Sequence, residues 1–284
     1  MDGIIIINKP KDYTSHDVVA KVKRILNARK VGHTGTLDPN ATGVLPLLIN
    51  DGTKLSKYLI EHDKEYEVTL KLGIKTDTAD IEGKVIEEKN VENITIEKIQ
   101  KVLKEFVGKQ EQIPPMYSAI KVNGKKLYDY ARNGETVKIE PRKIEIYSID
   151  FINFDNINNE ITFKVACSKG TYIRSLCENI ANKLNTIGYM KELNRTKVGK
   201  FEIEDAITIE ELENGQKNII TMQELLKDLP KIQLNENELE KFLNGVKIHK
   251  NKQDGIYNIY VEDKYLGTGT IKDNTVKRDI IIKS

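Results

Sequence analysis

The spacing of apolar residues predicts a chain built from both strands and helices. Residues 3–7 form a short continuous apolar run, which is typical of a buried strand. Residues 65–72 alternate between polar and apolar, so Tyr66 shares one face of a strand with three aliphatic side chains. Further strands are predicted near Val85 and over residues 143–151 and 160–166.

Three other segments repeat their apolar residues every three or four positions and predict helices. Ser15 is the predicted N-cap of the first helix, and Thr95 that of the second. The third helix is predicted over about residues 172–185. Both cysteines, Cys167 and Cys177, lack the spacing of a metal site or a redox pair, and Cys177 fits the apolar side of this helix.

The order of these elements is irregular, without strict alternation of strand and helix. It predicts an α+β fold, in which helices flank a largely antiparallel mixed sheet. Pro230 lies in a predicted linker, and short strands separated by turns follow it. We therefore expect a large domain over residues 1–229 and a small β module over residues 230–284.

Composition excludes several classes of protein but selects none. Apolar residues make up 39% of the 284, enough for a hydrophobic core, and the net charge is only +2. The N-terminal apolar run is too short for a signal peptide, and no segment is long and apolar enough to span a bilayer. We therefore expect a cytoplasmic protein without a membrane partner. The four histidines form no recognisable metal-ligand cluster, so no metal is expected.

The stretch VGHTGTLDPNATGVLPLLIN, residues 31–50, contains one acid, Asp38, in a loop rich in glycine and threonine. Pro39 restricts the conformation of Asp38, and the small neighbours leave room for a partner. One interpretation is an Asx turn, in which the carboxylate binds only its own backbone. The other is a stiff loop that presents a single catalytic charge.

Residues 116–143 carry seven cations, three acids and three interleaved tyrosines. Such a charge run is usually a solvated surface, but cations mixed with aromatic residues also suit a folded RNA loop. The pattern alone does not decide between these two interpretations.

Five ordered blocks resemble the TruB family of tRNA pseudouridine synthases. GHTGTLDPNATGVLPL is similar to the catalytic loop of the family, and IIIINKPKDYTSHDVV to its N-terminal motif. DKEYEVTLKLGIKTDTADIEG resembles the tyrosine strand with its following turn, and CSKGTYIRSL resembles the arginine motif. IPPMYSAIKVNGKKLYDYARNG is similar to an RNA-gripping insertion of the stand-alone bacterial members. The resemblance covers residues 1–201 and is looser beyond.

The resemblance implies the pseudouridine synthase fold and an isomerase that needs no cofactor. A uridine is extruded from its RNA, its glycosidic bond breaks, and C5 of the turned base bonds to the sugar. Asp38 is then the catalytic carboxylate, acting either on the ribose as a nucleophile or in proton loss from the sugar. Arg174 would keep Asp38 ionised, and Tyr66 would stack on the base and help to remove the C5 proton. Asp77 and Asp80 would orient basic groups or RNA, or only cap their turn.

The resemblance also implies an RNA surface around this site. We name residues 113–143 the clamp, since they correspond to the RNA-gripping insertion, and we call residues 230–284 a PUA-like module. The expected partner is the T arm of tRNA, modified at position 55 by a monomer without a guide RNA. The implied RNA-binding residues are Lys9, His33, Lys54, Tyr172 and, in the clamp, Lys121, Lys125, Lys126, Arg132 and Arg142.

Two alternatives stay open at this point. One is the guide-RNA-dependent branch of the same family, which by resemblance lacks the clamp. The other is a non-catalytic protein that assists RNA folding.

Overall fold

The computed structural model describes residues 2–59 and 62–282 as a mixture of helices and strands. The helices are α1 Ser15–Ile25, α2 Ser56–Leu59, α3 Ile96–Glu105, α4 Leu127–Arg132, α5 Ile173–Lys183, α6 Ile209–Glu213, α7 Met222–Leu225 and α8 Glu236–Leu243, with short 3-10 turns at Asn50–Leu55 and Ile203–Asp205. Within the same two stretches, no helix has both the length and the apolar character needed to cross a membrane.

Strands make up the larger share of the regular structure. They are β1 Gly3–Lys9, β2 Val31–His33, β3 Thr42–Ile49, β4 Lys64–Leu72, β5 Ile74–Thr76, β6 Val85–Glu88, β7 Gly108–Gln112, β8 Lys121–Val122, β9 Lys125–Lys126, β10 Arg142–Asp155, β11 Glu160–Cys167, β12 Gly188–Val198, β13 Phe201–Glu202, β14 Ile219–Ile220, β15 Lys231–Leu234, β16 Ile248–His249, β17 Gly255–Val261, β18 Lys264–Lys272 and β19 Thr275–Ile281.

A ten-stranded sheet forms the centre of the molecule, in the order β14-β1-β3-β12-β4-β11-β10-β7, with β2 and β13 paired at its side. Its strand pairs are antiparallel except for β3 and β12, which run parallel over a short contact. That contact places Arg195 opposite Gly43. The predicted α+β class with a largely antiparallel mixed sheet is confirmed.

Helices pack against this sheet and bury its apolar side chains. Helices α3 and α5 pack on β4, β10, β11 and β12 through a core that includes Leu70, Phe163 and Leu176. Helices α1 and α6 pack on β1 and β3 through Val18 and Val22. The catalytic loop predicted from the sequence therefore lies between two separate core clusters, and its Leu37 and Ala41 belong to the first of them.

The first helix begins one residue earlier than the sequence suggested. Thr14 is its N-cap, because its extended backbone lets the hydroxyl accept from the amide of Asp17, whose carboxylate accepts from Thr14 in return. Ser15, the predicted cap, is buried and turns to the Asp38 loop instead. Its hydroxyl donates to the carbonyl of Leu37 and accepts from the Leu37 amide. Thr95 caps α3 as predicted.

A second sheet, in the order β15-β17-β18-β19-β16, follows Pro230. Strand β19 packs against the ten-stranded sheet, because Ile280 joins a core that contains Ile4 and Leu48. Asp279, on the same strand, accepts hydrogen bonds from Lys57 and Tyr58. The last strand of the chain thus fixes this second sheet beside α2.

Candidate active site

The loop between β2 and β3 carries Asp38 and is held by buried groups beneath it. Ser15 holds Leu37 through both of its backbone groups. Lys9, at the end of β1, donates from Nζ to the carbonyl of Pro39 at 2.9 Å. The Asp38 carbonyl also accepts from the Ala41 amide at 3.1 Å. These contacts fix the main chain on both sides of Asp38 and leave its carboxylate to face a cavity.

Lys9 lies beneath the Asp38 loop. Its side chain is fully buried, and Nζ also donates to the carbonyls of Pro10 and Tyr13. Burial lowers the pKa of Lys9 to about 8, although Asp38 opposes that change. The ammonium has no exposed surface and serves three main-chain acceptors, and the RNA-binding role of Lys9 stays a prediction. In this structure Lys9 supports the loop.

The structure brings Asp38 and Arg174 together. Arg174 is the second residue of α5, and its Nε lies 3.3 Å from Oδ2 of Asp38. Nη1 of the same guanidinium lies 3.4 Å from Oδ2 of Asp80. Asp80 is itself fixed, because its other oxygen accepts from the Thr78 hydroxyl and the Glu82 amide. One buried arginine thus links two carboxylates that belong to different loops.

Opposing effects act on the ionisation of Asp38. Burial raises the pKa of the Asp38 carboxyl above its usual value, and the charge of Asp80 acts in the same direction. Arg174, and more weakly Lys9, oppose that rise. The carboxylate still exposes 35% of its side-chain surface, since the cavity opens in front of it. Arg174 is therefore the group that favours the charged form of Asp38.

Tyr66 lies on β4 and contributes to both the core and the cavity. Its ring belongs to the core under α5, and the residue is only 8% exposed. Arg195 lies opposite Tyr66 on the neighbouring strand β12. Burial raises the pKa of Tyr66 to about 12, and the positive charge of Arg195 opposes the rise. Tyr66 therefore packs in the core and also lines the cavity.

His33, at the end of β2, lies edge-on to the ring of His16, with ring centroids 5.5 Å apart. Its Nδ1 is buried and has no hydrogen-bond partner within residues 2–59 and 62–282. Burial lowers the pKa of His33, and the nearby His16 and Arg195 lower it further. The neutral imidazole is therefore the favoured form at neutral pH.

A cavity of about 470 Å³ joins these groups. Asp38, Tyr66 and Arg174 line it together with the apolar side chains of Met190 and Leu193. The clamp contributes Tyr117, Ser118, Ala119 and Tyr128 to its wall. The volume lies within the range of roughly 300 to 1,000 Å³ that is usual for small-molecule sites. One flipped base with its ribose has room here, beside the carboxylate.

The clamp is a hairpin followed by a short helix. Strands β8 and β9 pair across a turn in which Asn123 and Gly124 both have positive φ. At its base, Gln112 exchanges two hydrogen bonds with the main chain of Tyr172, at 2.8 and 3.0 Å. Above the cavity, the carbonyl of Tyr117 accepts from Nη2 of Arg174 at 2.9 Å. The clamp is thus connected to the same arginine that holds Asp38.

The clamp cations lie beside clamp tyrosines. Nζ of Lys125 is 4.4 Å from the centroid of the Tyr130 ring and 3.0 Å from Glu135, and Nζ of Lys126 is 2.8 Å from the Tyr128 hydroxyl. The guanidinium of Arg132 lies 5.3 Å from the centroid of the Tyr128 ring. Lys121, in β8, and Arg142, at the start of β10, are exposed. Three of the five predicted clamp cations therefore lie beside tyrosine rings or hydroxyls, and the other two face solvent.

Tyr172 and Lys54 have different surroundings. Tyr172 precedes α5 and lines the cavity. Lys54 lies beyond the far end of β3, roughly 25 Å from the Asp38 loop by the rise of a strand. Its Nζ donates to Asp51 and to the carbonyl of Ile281 in the second sheet. The expectation that Lys54 lies near the cavity is therefore corrected.

Sequence reasoning missed Arg195 and gave Asp80 only an open role. Strand β12 was not predicted, so an arginine in line with Leu193 on its inward face went unnoticed, although that alternation is its signal. Asp80 could not be assigned, because only the fold brings its turn to α5. Within the described residues, no three His, Cys, Asp or Glu side chains meet in an arrangement that could hold a metal ion.

Comparison with known proteins places this site in a family. Residues 23–173 match the TruB family pseudouridylate synthase (N terminal domain). Residues 174–247 match the tRNA pseudouridylate synthase B C-terminal domain, and residues 230–277 match a C-terminal domain of pseudouridine synthase II TruB. These matches include the Asp38 loop, the Tyr66 strand and the clamp.

Relatives matched over nearly their whole length, and solved structures, support the same family. The tRNA pseudouridine synthase B of Caldanaerobacter subterraneus subsp. tengcongensis is 42% identical, with 98% of both chains covered, and that of Clostridium kluyveri is 46% identical, with 96% of both covered. A Cbf5-Nop10-Gar1 complex contains a chain with a TM-score of 0.69 and 26% identity, covering 99% of this chain and 84% of that one. An H/ACA RNP bound to a substrate RNA containing 2'-deoxyuridine contains another, with a TM-score of 0.70, 25% identity and coverages of 99% and 85%. The chain therefore belongs to the TruB family of pseudouridine synthases and is an isomerase.

Proposed function

We propose that this protein converts the T-loop uridine at position 55 of tRNA into pseudouridine, in the cytoplasm and without a guide RNA. The observation that carries this proposal is the Asp38 carboxylate, held by Arg174 at the wall of a cavity that the clamp adjoins. Relatives named tRNA pseudouridine synthase B match this chain over nearly its whole length and support tRNA as the substrate.

The target base must leave its stack before it can reach Asp38. Extrusion costs a few kcal/mol, which contacts between protein cations and RNA phosphates offset. The clamp supplies cations beside tyrosines at the cavity entrance, and tyrosine rings provide a stacking surface for unpaired bases. The PUA-like module of the proposal contributes a further RNA-binding surface.

In the cavity, the ionised carboxylate of Asp38 acts on the ribose of the flipped nucleotide. It either bonds to C1′ as the glycosidic bond breaks or takes part in proton loss from the sugar. The detached uracil turns within the cavity, and its C5 bonds to C1′. Tyr66 stacks on the uracil ring, and its hydroxyl group helps to remove the proton from C5. No atoms are gained or lost overall.

The decisive experiment uses the purified protein and an unmodified tRNA transcript. Carbodiimide treatment followed by primer extension should give a stop for pseudouridine at position 55. A matched transcript with cytidine at position 55 should give none. Tight tRNA binding without the stop would favour an RNA-folding protein, and a stop that appears only after a guide RNA is added would favour the guide-dependent alternative.

A further inference from the structure

Arg195 is the largest fully buried side chain among residues 2–59 and 62–282, with 2% of its surface exposed. Its Nε donates to the carbonyl of Val44 at 2.8 Å, and Nη2 to the carbonyl of Gly35 at 3.2 Å. Both acceptors are neutral. Within the described residues, no carboxylate pairs with this guanidinium. The charge of Arg195 is thus buried without an anionic partner.

Burying an unpaired charge is costly, and two neutral acceptors offset only part of the cost. The phenol of Tyr66 is the ionisable group that interacts favourably with Arg195. The two residues are cross-strand neighbours on β4 and β12, where directly opposed side chains share a face. The arrangement would be balanced electrostatically if the phenol lost its proton.

We infer that Arg195 is a positioning residue whose buried charge stabilises the phenolate of Tyr66, so that this tyrosine can accept the proton from C5 of the turned uracil. The inference rests on the proposed function, because it needs the C5 proton to leave in this cavity. Arg195 itself does not line the cavity and contacts no substrate.

The proton step balances as follows. Once C5 has bonded to C1′ of the ribose, C5 carries both that bond and its hydrogen. The phenolate of Tyr66 takes the hydrogen as a proton and becomes a phenol. The C5–H electron pair becomes the C5=C6 double bond, and the C6=N1 pair moves to N1, which takes a proton from solvent.

The electrostatic effect has a definite sign. Burial raises the pKa of Tyr66 to about 12, so the phenolate is scarce near neutral pH. Removing the charge of Arg195 raises that pKa further, and each unit lowers the phenolate fraction about tenfold. A neighbouring opposite charge shifts a pKa by about one to two units, which is about 10- to 100-fold in the population of the charged form.

The test is a double-mutant cycle on the full chain, with single-turnover rates measured on unmodified tRNA. Arg195→Gln should lower the rate about 10- to 100-fold. In a Tyr66→Phe background, which lacks the hydroxyl, the same substitution should change the rate by less than roughly threefold. Arg195→Lys keeps the charge and should be at least roughly tenfold faster than Arg195→Gln. Thermal unfolding of each variant identifies those that keep the wild-type fold.

Lys9→Met is the matched control, because Lys9 also holds the Asp38 loop through main-chain carbonyls. Lys9→Met should lower the single-turnover rate by the same factor in the wild-type and the Tyr66→Phe backgrounds, as for residues that act independently. Equal losses from Arg195→Gln with and without the Tyr66 hydroxyl would overturn the inference and leave Arg195 as a loop anchor only. An Arg195→Lys protein as slow as Arg195→Gln would overturn it too. A wild-type protein that makes no pseudouridine would instead refute the proposed function.

Discussion

Nε of Arg174 lies 3.3 Å from Oδ2 of Asp38, and Nη1 of the same side chain lies 3.4 Å from Oδ2 of Asp80. Asp80 is almost fully buried and hydrogen-bonded within its own turn, so its ion pair with Arg174 restrains the guanidinium. The orientation of the Arg174 side chain is therefore fixed. Asp38, the more exposed partner, receives a positive charge in a fixed place.

The substitution Asp38→Asn should abolish pseudouridine formation and leave tRNA binding within a few-fold. The amide is nearly isosteric but can neither attack the sugar nor accept its proton, so a loss on the order of 10⁴-fold or more is expected. Single-turnover assays and filter binding on the same protein sample separate the two effects. Undiminished pseudouridine formation would remove Asp38 from the mechanism.

The activity should depend on pH through Asp38. In the proposed mechanism only the charged carboxylate acts. Burial raises its pKa while Arg174 opposes the rise, so the rate should fall as the pH drops through that raised value. Replacing Arg174 with Met removes the opposing charge and should shift the acidic limb to higher pH. In Arg174→Lys, the acidic limb of the pH–rate profile should lie at a pH between those of the wild-type protein and Arg174→Met. A limb that stays in place in Arg174→Met would show that another group titrates.

Gly43→Ala should disrupt the loop, whereas Gly35→Ala should be tolerated. At position 43 a Cβ would lie 2.2 Å from the carbonyl oxygen of Arg195, and φ is +106°. At position 35 the nearest atom, Nη1 of Arg195, is 3.7 Å away, an ordinary contact. We expect Gly43→Ala to lose about 2 kcal/mol or more of unfolding free energy, measured by urea denaturation. Equal stability of the two variants would contradict this account.

Replacing Lys125 and Lys126 with alanine should weaken tRNA binding and reduce its dependence on salt. Each lysine that contacts a phosphate contributes about 0.7 to 0.9 to the slope of log affinity against log salt. Affinities measured between low and high salt give that slope. The matched control replaces Lys101 and Lys104, two exposed lysines of α3 outside the clamp. An unchanged slope in the clamp variant would exclude both lysines from the interface.

Asp279→Asn should weaken the contact between the second sheet and α2 and so lower the stability of the protein. Burial would raise the pKa of Asp279, but hydrogen bonds from Lys57 and Tyr58 outweigh it and leave the pKa lowered. Asp279 therefore contributes stability above the ordinary carboxyl pKa, which is lost as the pH falls through the lowered value. Near neutral pH, the variant should lose about 1 to 3 kcal/mol of unfolding free energy. Asp273→Asn, in an exposed turn, is the control, and an equal loss there would contradict the role of Asp279.

The fold class and the central helices follow from local periodicity in the sequence, whereas the Asp38–Arg174 pair was expected only from the resemblance to the TruB family. Sequence reasoning did not reach Arg195, whose environment depends on a parallel contact between β3 and β12. Nor did the sequence reveal that the ammonium groups of Lys9 and Lys54 donate to main-chain carbonyls, since a lysine in a motif looks the same with or without such contacts. Contacts between residues far apart in the chain decide these cases.

Arg174 contacts both the clamp and the carboxylate of Asp38, because the same guanidinium donates a hydrogen bond to the carbonyl of Tyr117. If the clamp lifts, that guanidinium loses an acceptor on one side and becomes freer to turn away from Asp38. A half-engaged RNA would then meet a carboxylate that is poorly oriented and more easily protonated. Under the proposed function, an ill-fitting RNA would therefore be rejected after docking as well as during it, because the catalytic carboxylate would not be correctly oriented.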